Sequence, residues 1–431
     1  MLAFLGRKPL VGVLVCALVL RVAAALAVQH QLDHVWQRSF VIEGDSAGYW
    51  ELGRRLAAHE PYAIYDPPRQ VLRMPGFPAL LAAAVTLSDG SFLAARLLLA
   101  GVGTLACGLV YLLGRCLFDA RVGLLAAGLA AVSPVMVGFS VLILSETLFA
   151  AALVASLLAM AAVVRTGFDR AHRGRGLAWA AAAGLLVTAA TYVRPTWLIA
   201  GPLFVAAYVL ASRGERPQAL VRGGVLVMCQ CLALIPWAAR NQAVTGHWVW
   251  TTLWVGPSLY DGLNPEATGE SDMTFFDRDG LSGQLTEYEL DRHYRQRAWQ
   301  FVREHPGRAL ELALVKLWRS LKPWPNAEQF GGFWHQAAVA AFYVPAVALA
   351  AIGGWRHRHD VWRWLLPAGP IVLVAAVHMV FVGSLRYRLP AEYPLYVLAA
   401  AGAVSLGSGR RNAVSSNGAG HLADGVELRP T

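Results

Sequence analysis

The sequence predicts an all-α integral membrane protein, a bundle of about ten spans with two long loops on its outer face. Three observations carry that prediction. Hydrophobic residues make up 56% of the 431 positions and charged residues only 15%, against about 25% charged in an ordinary soluble domain. Mean hydropathy is +0.46. Leu, Ala and Val fall in runs long enough to cross a hydrocarbon layer about 30 Å thick, which takes about 20 helical residues. A cytosolic enzyme, a disordered scaffold and a secreted disulfide-framed protein are excluded.

The apolar runs lie near residues 9–28, 91–114, 121–138, 143–164, 177–193, 195–211, 221–238, 331–354, 361–382 and 389–407. The first follows Arg7 and Lys8 and reads as a retained signal anchor, because no small-residue cleavage site precedes the polar stretch at Gln29. With the N-terminus inside, every short connection on the inner side is basic: Arg115/Arg121, Arg165/Arg170/Arg173/Arg175, Arg213/Arg216/Arg222, Arg356/Arg358/Arg363 and Arg410/Arg411. That agrees with the excess of Lys and Arg in cytoplasmic loops. Heavy use of Ala, Arg and Gly is typical of GC-rich bacterial genomes, so the expected membrane is a bacterial inner membrane. The chain divides into a transmembrane domain, 1–407, and a Ser-, Gly- and Asn-containing tail, 408–431, expected to be disordered inside the cell.

Two outer segments, about 29–90 and 239–330, are longer than a connection needs, and long loops usually carry function. In the first, Tyr49, Leu52 and Leu56 recur at helical spacing and predict a short amphipathic helix starting at Asp45 or Ser46. In the second, Leu290, Tyr294, Ala298 and Phe301 form a similar stripe, ended by Pro306-Gly307. After it, Leu310, Leu314, Leu317 and Leu321 make an apolar face beside Lys316, Arg319 and Lys322, as in a basic helix lying among lipid headgroups.

The net charge is +10, yet the basic residues are scattered between apolar runs rather than gathered on one soluble face, so no nucleic-acid partner is expected. The five cysteines lie in or at the ends of apolar runs and form neither a disulfide framework nor a zinc pattern. No internal repeat supports an inverted-repeat transporter, and no phosphate-binding or dinucleotide loop is present.

The candidate chemistry gathers on the outer side. Asp45 either caps its helix or serves as a carboxylate that deprotonates an acceptor hydroxyl. Glu146, near the outer end of a span, needs a partner or a polar cavity, since an ionisable group inside a bilayer is costly. Arg73, Arg194, Arg240, Arg386 and Arg388 each border a span end and a proline or aromatic residue. Singly they are explained by snorkelling to headgroups. Together they suit a lipid phosphate, which guanidinium groups hold bidentately. The outer histidines, His30, His34, His59, His247 and His293, lack metal-ligand spacing. The cofactor expectation is therefore none, with a divalent ion at Asp45 left open as a weak site.

In order along the chain stand Gly-Asp-Ser-Ala-Gly-Tyr49, Arg-Met-Pro-Gly-Phe-Pro78, Ser-Pro-Val-Met-Val-Gly-Phe-Ser140, Ser-Glu-Thr-Leu-Phe149, Tyr-Val-Arg-Pro195, Pro-Trp-Ala-Ala-Arg-Asn241, His-Pro-Gly307 and Arg-Tyr-Arg-Leu-Pro390. This series resembles the GT-C glycosyltransferases, in the branch of protein O-mannosyltransferases and the aminoarabinose transferases of lipid A, over about residues 9–407. The resemblance implies a polytopic enzyme that moves a sugar from a polyprenyl-phosphate carrier to a lipid, glycan or protein acceptor at the periplasmic face, inverting the anomeric centre if attack is direct. It implies Asp45 as general base and Glu146 as the second acid. Arg73 matches a cation on the donor phosphate, with Arg194, Arg240, Arg386 and Arg388 as further phosphate or acceptor contacts. The chain departs from the pattern in having Asp45-Ser46 where an Asp-Glu pair is common, and in lacking a large C-terminal periplasmic domain. Acceptor and metal requirement stay open. The alternatives are a membrane polymerase or ligase using lipid-linked sugar, and a transporter or flippase.

Overall fold

The computed structural model describes residues 7–325 and 332–420, with side chains described as far as 407. The predicted tail, 408–431, therefore lies outside the described side chains, and 421–431 outside the described residues. Among those described the chain is helical, with one isolated antiparallel bridge, Ile64–Arg69. In chain order the helices are α1 (Arg7–Gln31), α2 (Glu43–Ala57), α3 (Gly76–Ser88), α4 (Phe92–Leu117), α5 (Ala120–Val132), α6 (Pro134–Phe139), α7 (Glu146–Arg165), α8 (Arg173–Val193), α9 (Ala200–Ala211) and α10 (Arg216–Thr245). The second loop then holds α11 (Val255–Gly262), α12 (Thr274–Asp279), α13 (Glu287–Glu304) and α14 (Pro306–Leu321), and the chain ends with α15 (Phe333–Arg356), α16 (Val361–Val380) and α17 (Leu385–Gly420).

Eight of the ten predicted runs are helices long and apolar enough to cross a membrane. The run predicted over 121–138 is not continuous. Pro134 has no N–H to continue the ladder, so α5 stops at Val132 and α6 restarts as a separate short helix. The run at 195–211 is the other short one, a 3₁₀ turn leading into α9. At one end of the bundle, Arg165 of α7 donates to the Cys116 carbonyl of α4, and Arg222 of α10 donates to the carbonyls of Thr166 and Gly167. At the other end lie Asp45, Glu146, Arg194 and Arg386.

Helices approach through small residues, as expected where lipid supplies no hydrophobic drive between them. A Cβ on Gly123 would lie 2.5 Å from the Tyr111 carbonyl oxygen, which joins α5 to α4. A Cβ on Gly353 would lie 2.1 Å from that of Leu398, which joins α15 to α17. The broken end of α5 leaves carbonyls inside the bundle that need donors. Arg21 of α1, fully buried, supplies them: it donates to the carbonyls of Ala130 and Ala131 at 3.1 and 3.2 Å.

The two long loops dock on each other. Glu287, at the start of α13, accepts from the amides of Gln70 and Val71 at 2.9 and 3.0 Å. The Leu253 amide donates to the Val71 carbonyl, and Arg69 lies over the rings of Trp254 and Phe276. The stripe predicted in the second loop is buried as one core, with Leu290, Tyr294, Ala298 and Phe301 packed against Leu259 and Tyr260. A capping box of Thr286 and Glu289 starts that helix.

α14 corrects the sequence reading. Its exposed apolar stripe is Leu310, Leu314, Trp318 and Leu321, while Lys316 is fully buried. Instead of joining Arg319 and Lys322 on a basic face, Lys316 donates from Nζ to the Val380 carbonyl at 2.9 Å, at the end of α16. The helical period puts it four residues after Leu312, on the inward side.

Candidate functional site

Asp45 lies in the first turn of α2. The helix begins at Glu43, two residues earlier than the sequence spacing suggests, with Ile42 at its N-cap and no side-chain cap. The capping role foreseen for Asp45 is therefore not what its carboxylate does. Oδ1 accepts from Arg73 Nη2 at 2.8 Å, and Oδ2 pairs with Arg386 Nη1 at 2.7 Å. Burial alone would push this carboxyl up; Arg386 and Arg73 outweigh it and hold the group well below the usual carboxylate range.

Arg73 comes from the loop before α3 and lies over the Tyr49 ring, 4.2 Å from its centre. It also packs against Gly48, where a Cβ would meet its Nε and Nη2 at 3.4 Å, in ordinary van der Waals contact. Tyr62 holds the arginine's backbone by donating to the carbonyls of Arg73 and Met74 at 3.1 and 3.3 Å.

Glu146 is the first residue of α7 and is 2% exposed. Its Oε1 accepts from Arg194 Nη2 at 2.7 Å and from Arg386 Nε. Its Oε2 is buried and has no partner among the described residues. Arg194 also donates to the Ser145 hydroxyl at 3.0 Å, and that hydroxyl accepts from the Tyr49 phenol at 3.4 Å. Arg386 is the hub, since one guanidinium touches both acids.

Five of the seven residues singled out in the sequence thus meet: Asp45, Arg73, Glu146, Arg194 and Arg386. Three guanidinium groups face two carboxylates, so one positive charge is left over in a half-buried setting, which suits an anion. Arg240 and Arg388 take other partners. Arg240 donates to the carbonyls of Gln70 and Tyr62 and so fixes the first loop. Arg388, 2% exposed, pairs with Glu392 and donates to the carbonyls of Ser320 and Lys322, tying α14 to α17.

Sequence reasoning missed Tyr387 and His378, whose rings stack 4.2 Å apart. Tyr387 lies between Arg194 and Arg386, whose guanidinium carbons are 5.6 and 5.7 Å from its centre. The only sequence signal was Tyr387's place between two arginines. Among the described residues no three His, Cys, Asp or Glu side chains gather as a ligand set; the two acids share an arginine instead.

The family model for dolichyl-phosphate-mannose-protein mannosyltransferases matches residues 68–239, under half of the chain. That segment includes Arg73, Glu146 and Arg194. No curated protein sequence matches this chain. Among solved structures, the oligosaccharyltransferase AglB of Archaeoglobus fulgidus, in complex with an inhibitory peptide and a dolichol-phosphate, superposes with a TM-score of 0.55 at 15% identity, covering 98% of this chain and 52% of that one. The same organism's oligosaccharyltransferase in its apo form gives 0.54 at 18% identity, covering 97% and 53%. ArnT of Cupriavidus metallidurans bound to undecaprenyl phosphate gives only 0.40 at 18% identity, covering 89% of this chain and 76% of that one. The chain spans about half the length of the archaeal oligosaccharyltransferases it matches, and at these identities the likeness is one of fold.

Proposed function

We propose that this chain, a GT-C superfamily protein by fold, moves a sugar from a polyprenyl-phosphate carrier to a hydroxyl or amide acceptor at the outer face of the membrane. One observation carries the reading: the Arg73–Asp45–Arg386–Glu146–Arg194 cluster at one end of a membrane-spanning bundle. The outward direction is supported by charge. Arg115, Arg121, Arg165, Arg170 and Arg216 lie at the opposite end, as the positive-inside tendency asks of a cytoplasmic face.

In this reading Asp45 takes the acceptor's proton, the freed oxygen or nitrogen attacks the anomeric carbon, and the bond from that carbon to the carrier phosphate breaks. The departing phosphate gains negative charge, and Arg73, Arg194 and Arg386 stabilise it. Such preorganised electrostatics usually supplies the largest part of a rate enhancement. Direct attack inverts the anomeric centre.

Asp45's depressed basicity fits a two-stage site. While Arg73 and Arg386 both hold the carboxylate it is a poor base, because proton transfer is most effective with a pKa near the working pH. A donor phosphate competes for those same guanidinium groups. Its binding releases the carboxylate as the donor arrives, so basicity rises only when there is something to transfer. Glu146 keeps Arg194 and Arg386 oriented throughout.

Binding of polyprenyl phosphate to the protein in nanodiscs tests this reading. Arg73→Met and Arg386→Met are expected to weaken binding at least tenfold, the loss of about 1.4 kcal/mol or more that a charge-assisted bond carries. Asp45→Asn is expected to bind as well as wild type or better, because the arginines are freed. Unchanged binding in both arginine variants counts against the reading.

A further inference from the structure

Arg96, in the second turn of α4, is 1% exposed and forms no ion pair among the described residues. Its three nitrogens reach three different segments. Nε donates to the Gln29 side-chain oxygen at 3.0 Å, Nη1 to the Val141 carbonyl at 2.9 Å, and Nη2 to the Ser39 carbonyl at 3.2 Å. Ser39 stands six residues before Asp45, and Val141 five before Glu146. The segments also pack directly on each other, with Leu32 and Val41 against Leu142 and Leu144.

We propose that Arg96 is a positioning residue: one buried guanidinium clamps the two acid-bearing segments and sets the spacing of Asp45 and Glu146. A buried cation on an apolar helix is costly unless its donors are used, and a planar fork is the side chain that can hold two carbonyls and an amide at fixed angles. The clamp matters most at the stage when a donor phosphate takes Arg386. That arginine is the direct bridge between the acids, and once it exchanges Asp45 for phosphate while staying on Glu146 the spacing depends on what lies behind the two loops. Arg96 touches neither acid nor the reacting atoms. It acts through Ser39 and Val141.

The catalytic part of this inference rests on the glycosyl-transfer reading; the clamp itself does not, and hydrogen–deuterium exchange tests it without any substrate. In full-length protein in nanodiscs, Arg96→Met is expected to speed exchange at least fivefold in two peptides together, around 37–44 and around 139–145, while α8, α10 and α13 keep wild-type rates. Arg96→Lys restores one contact and is expected to fall between. If Arg96→Met is not recovered folded, Gln29→Leu, which removes one of the three acceptors, should loosen the same two peptides less. With a polyprenyl-phosphate sugar as donor and sugar transfer as the readout, Arg96→Met is expected to lower kcat at least 30-fold while KM for that donor changes less than threefold, since the phosphate-facing arginines remain. Faster exchange in one segment only, or across the whole bundle, overturns the clamp and makes Arg96 a packing residue. Coupled loosening with wild-type kcat overturns its role in positioning. Coupled loosening together with a wild-type protein that transfers no sugar upholds the clamp and overturns the glycosyl-transfer reading instead.

Discussion

At the scale of single residues, neighbouring arginines in one motif have opposite surroundings. Arg386 bridges Asp45 and Glu146, whereas Arg388 pairs with buried Glu392 and donates to two backbone carbonyls of α14's end. Both stood out in the sequence for the same reason, a cation beside a span end and a proline, and spacing alone could not separate them. Two residues apart on a helix, they point in different directions, so at most one could face the acids. Arg388→Met leaves Glu392 as an uncompensated buried charge and is expected to cost about 3–5 kcal/mol of stability, seen as a lower Tm in detergent. Arg386→Lys keeps a cation but not the fork, and is expected to leave Tm near wild type while lowering turnover at least tenfold. If the two effects are exchanged, Arg388 belongs to the site and Arg386 does not. Asp45 and Glu146 were legible because acids are scarce at span ends. Tyr387 was not, because an aromatic near a membrane surface is usually a belt residue.

At the scale of elements, the sequence disclosed long apolar helices well and short or broken ones poorly. The break at Ser133–Pro134 and the separate helix α3 inside the first loop both depend on partners far along the chain: Arg21 for the end of α5, and the Tyr192 carbonyl, against which Gly76 packs, for the start of α3. The stripe in α14 was visible, but which face of it is buried depends on α16 and on the loop leading to Arg386. Lys316 marks that buried face, and burial pushes its ammonium from 10.5 down to about 8, with Asp261 opposing. The unfolded chain thus holds this proton over a range where the folded protein has released it. Between the two values the unfolded state binds more protons, so this group makes stability rise with pH. The Tm of wild type minus that of Lys316→Met, followed from about pH 7 to 10, is expected to climb toward the alkaline end. A constant difference means that Lys316 is not buried as described.

At the scale of the whole molecule, composition and run length sufficed for a polytopic helical bundle, and the order of several short motifs resembles the GT-C glycosyltransferases; the structure shares its fold with the archaeal oligosaccharyltransferases. The docking of one long loop on the other through Glu287, Arg240 and Arg69 was beyond the sequence, because such contacts join residues more than 150 positions apart. Orientation is a property of this scale. Gln284→Cys in the second loop and Gly214→Cys between α9 and α10, each made without the native cysteines, are expected to react oppositely with a membrane-impermeant maleimide. In intact cells position 284 is expected to label and position 214 to label only after permeabilisation. The reverse pattern moves the charge cluster to the cytoplasm.

The central claim is that this chain consumes a lipid-linked sugar with Asp45 as its base, and a mass-spectrometric profile of lipid-linked sugars tests it most directly. A deletion strain would carry the wild type, Asp45→Asn or neither. The account predicts that a polyprenyl-phosphate monosaccharide accumulates without the protein, that wild type clears it, and that Asp45→Asn reaches the membrane yet does not. Clearance by Asp45→Asn equal to wild type would contradict the assignment of the base. A profile unchanged in every strain would contradict glycosyl transfer from such a carrier altogether.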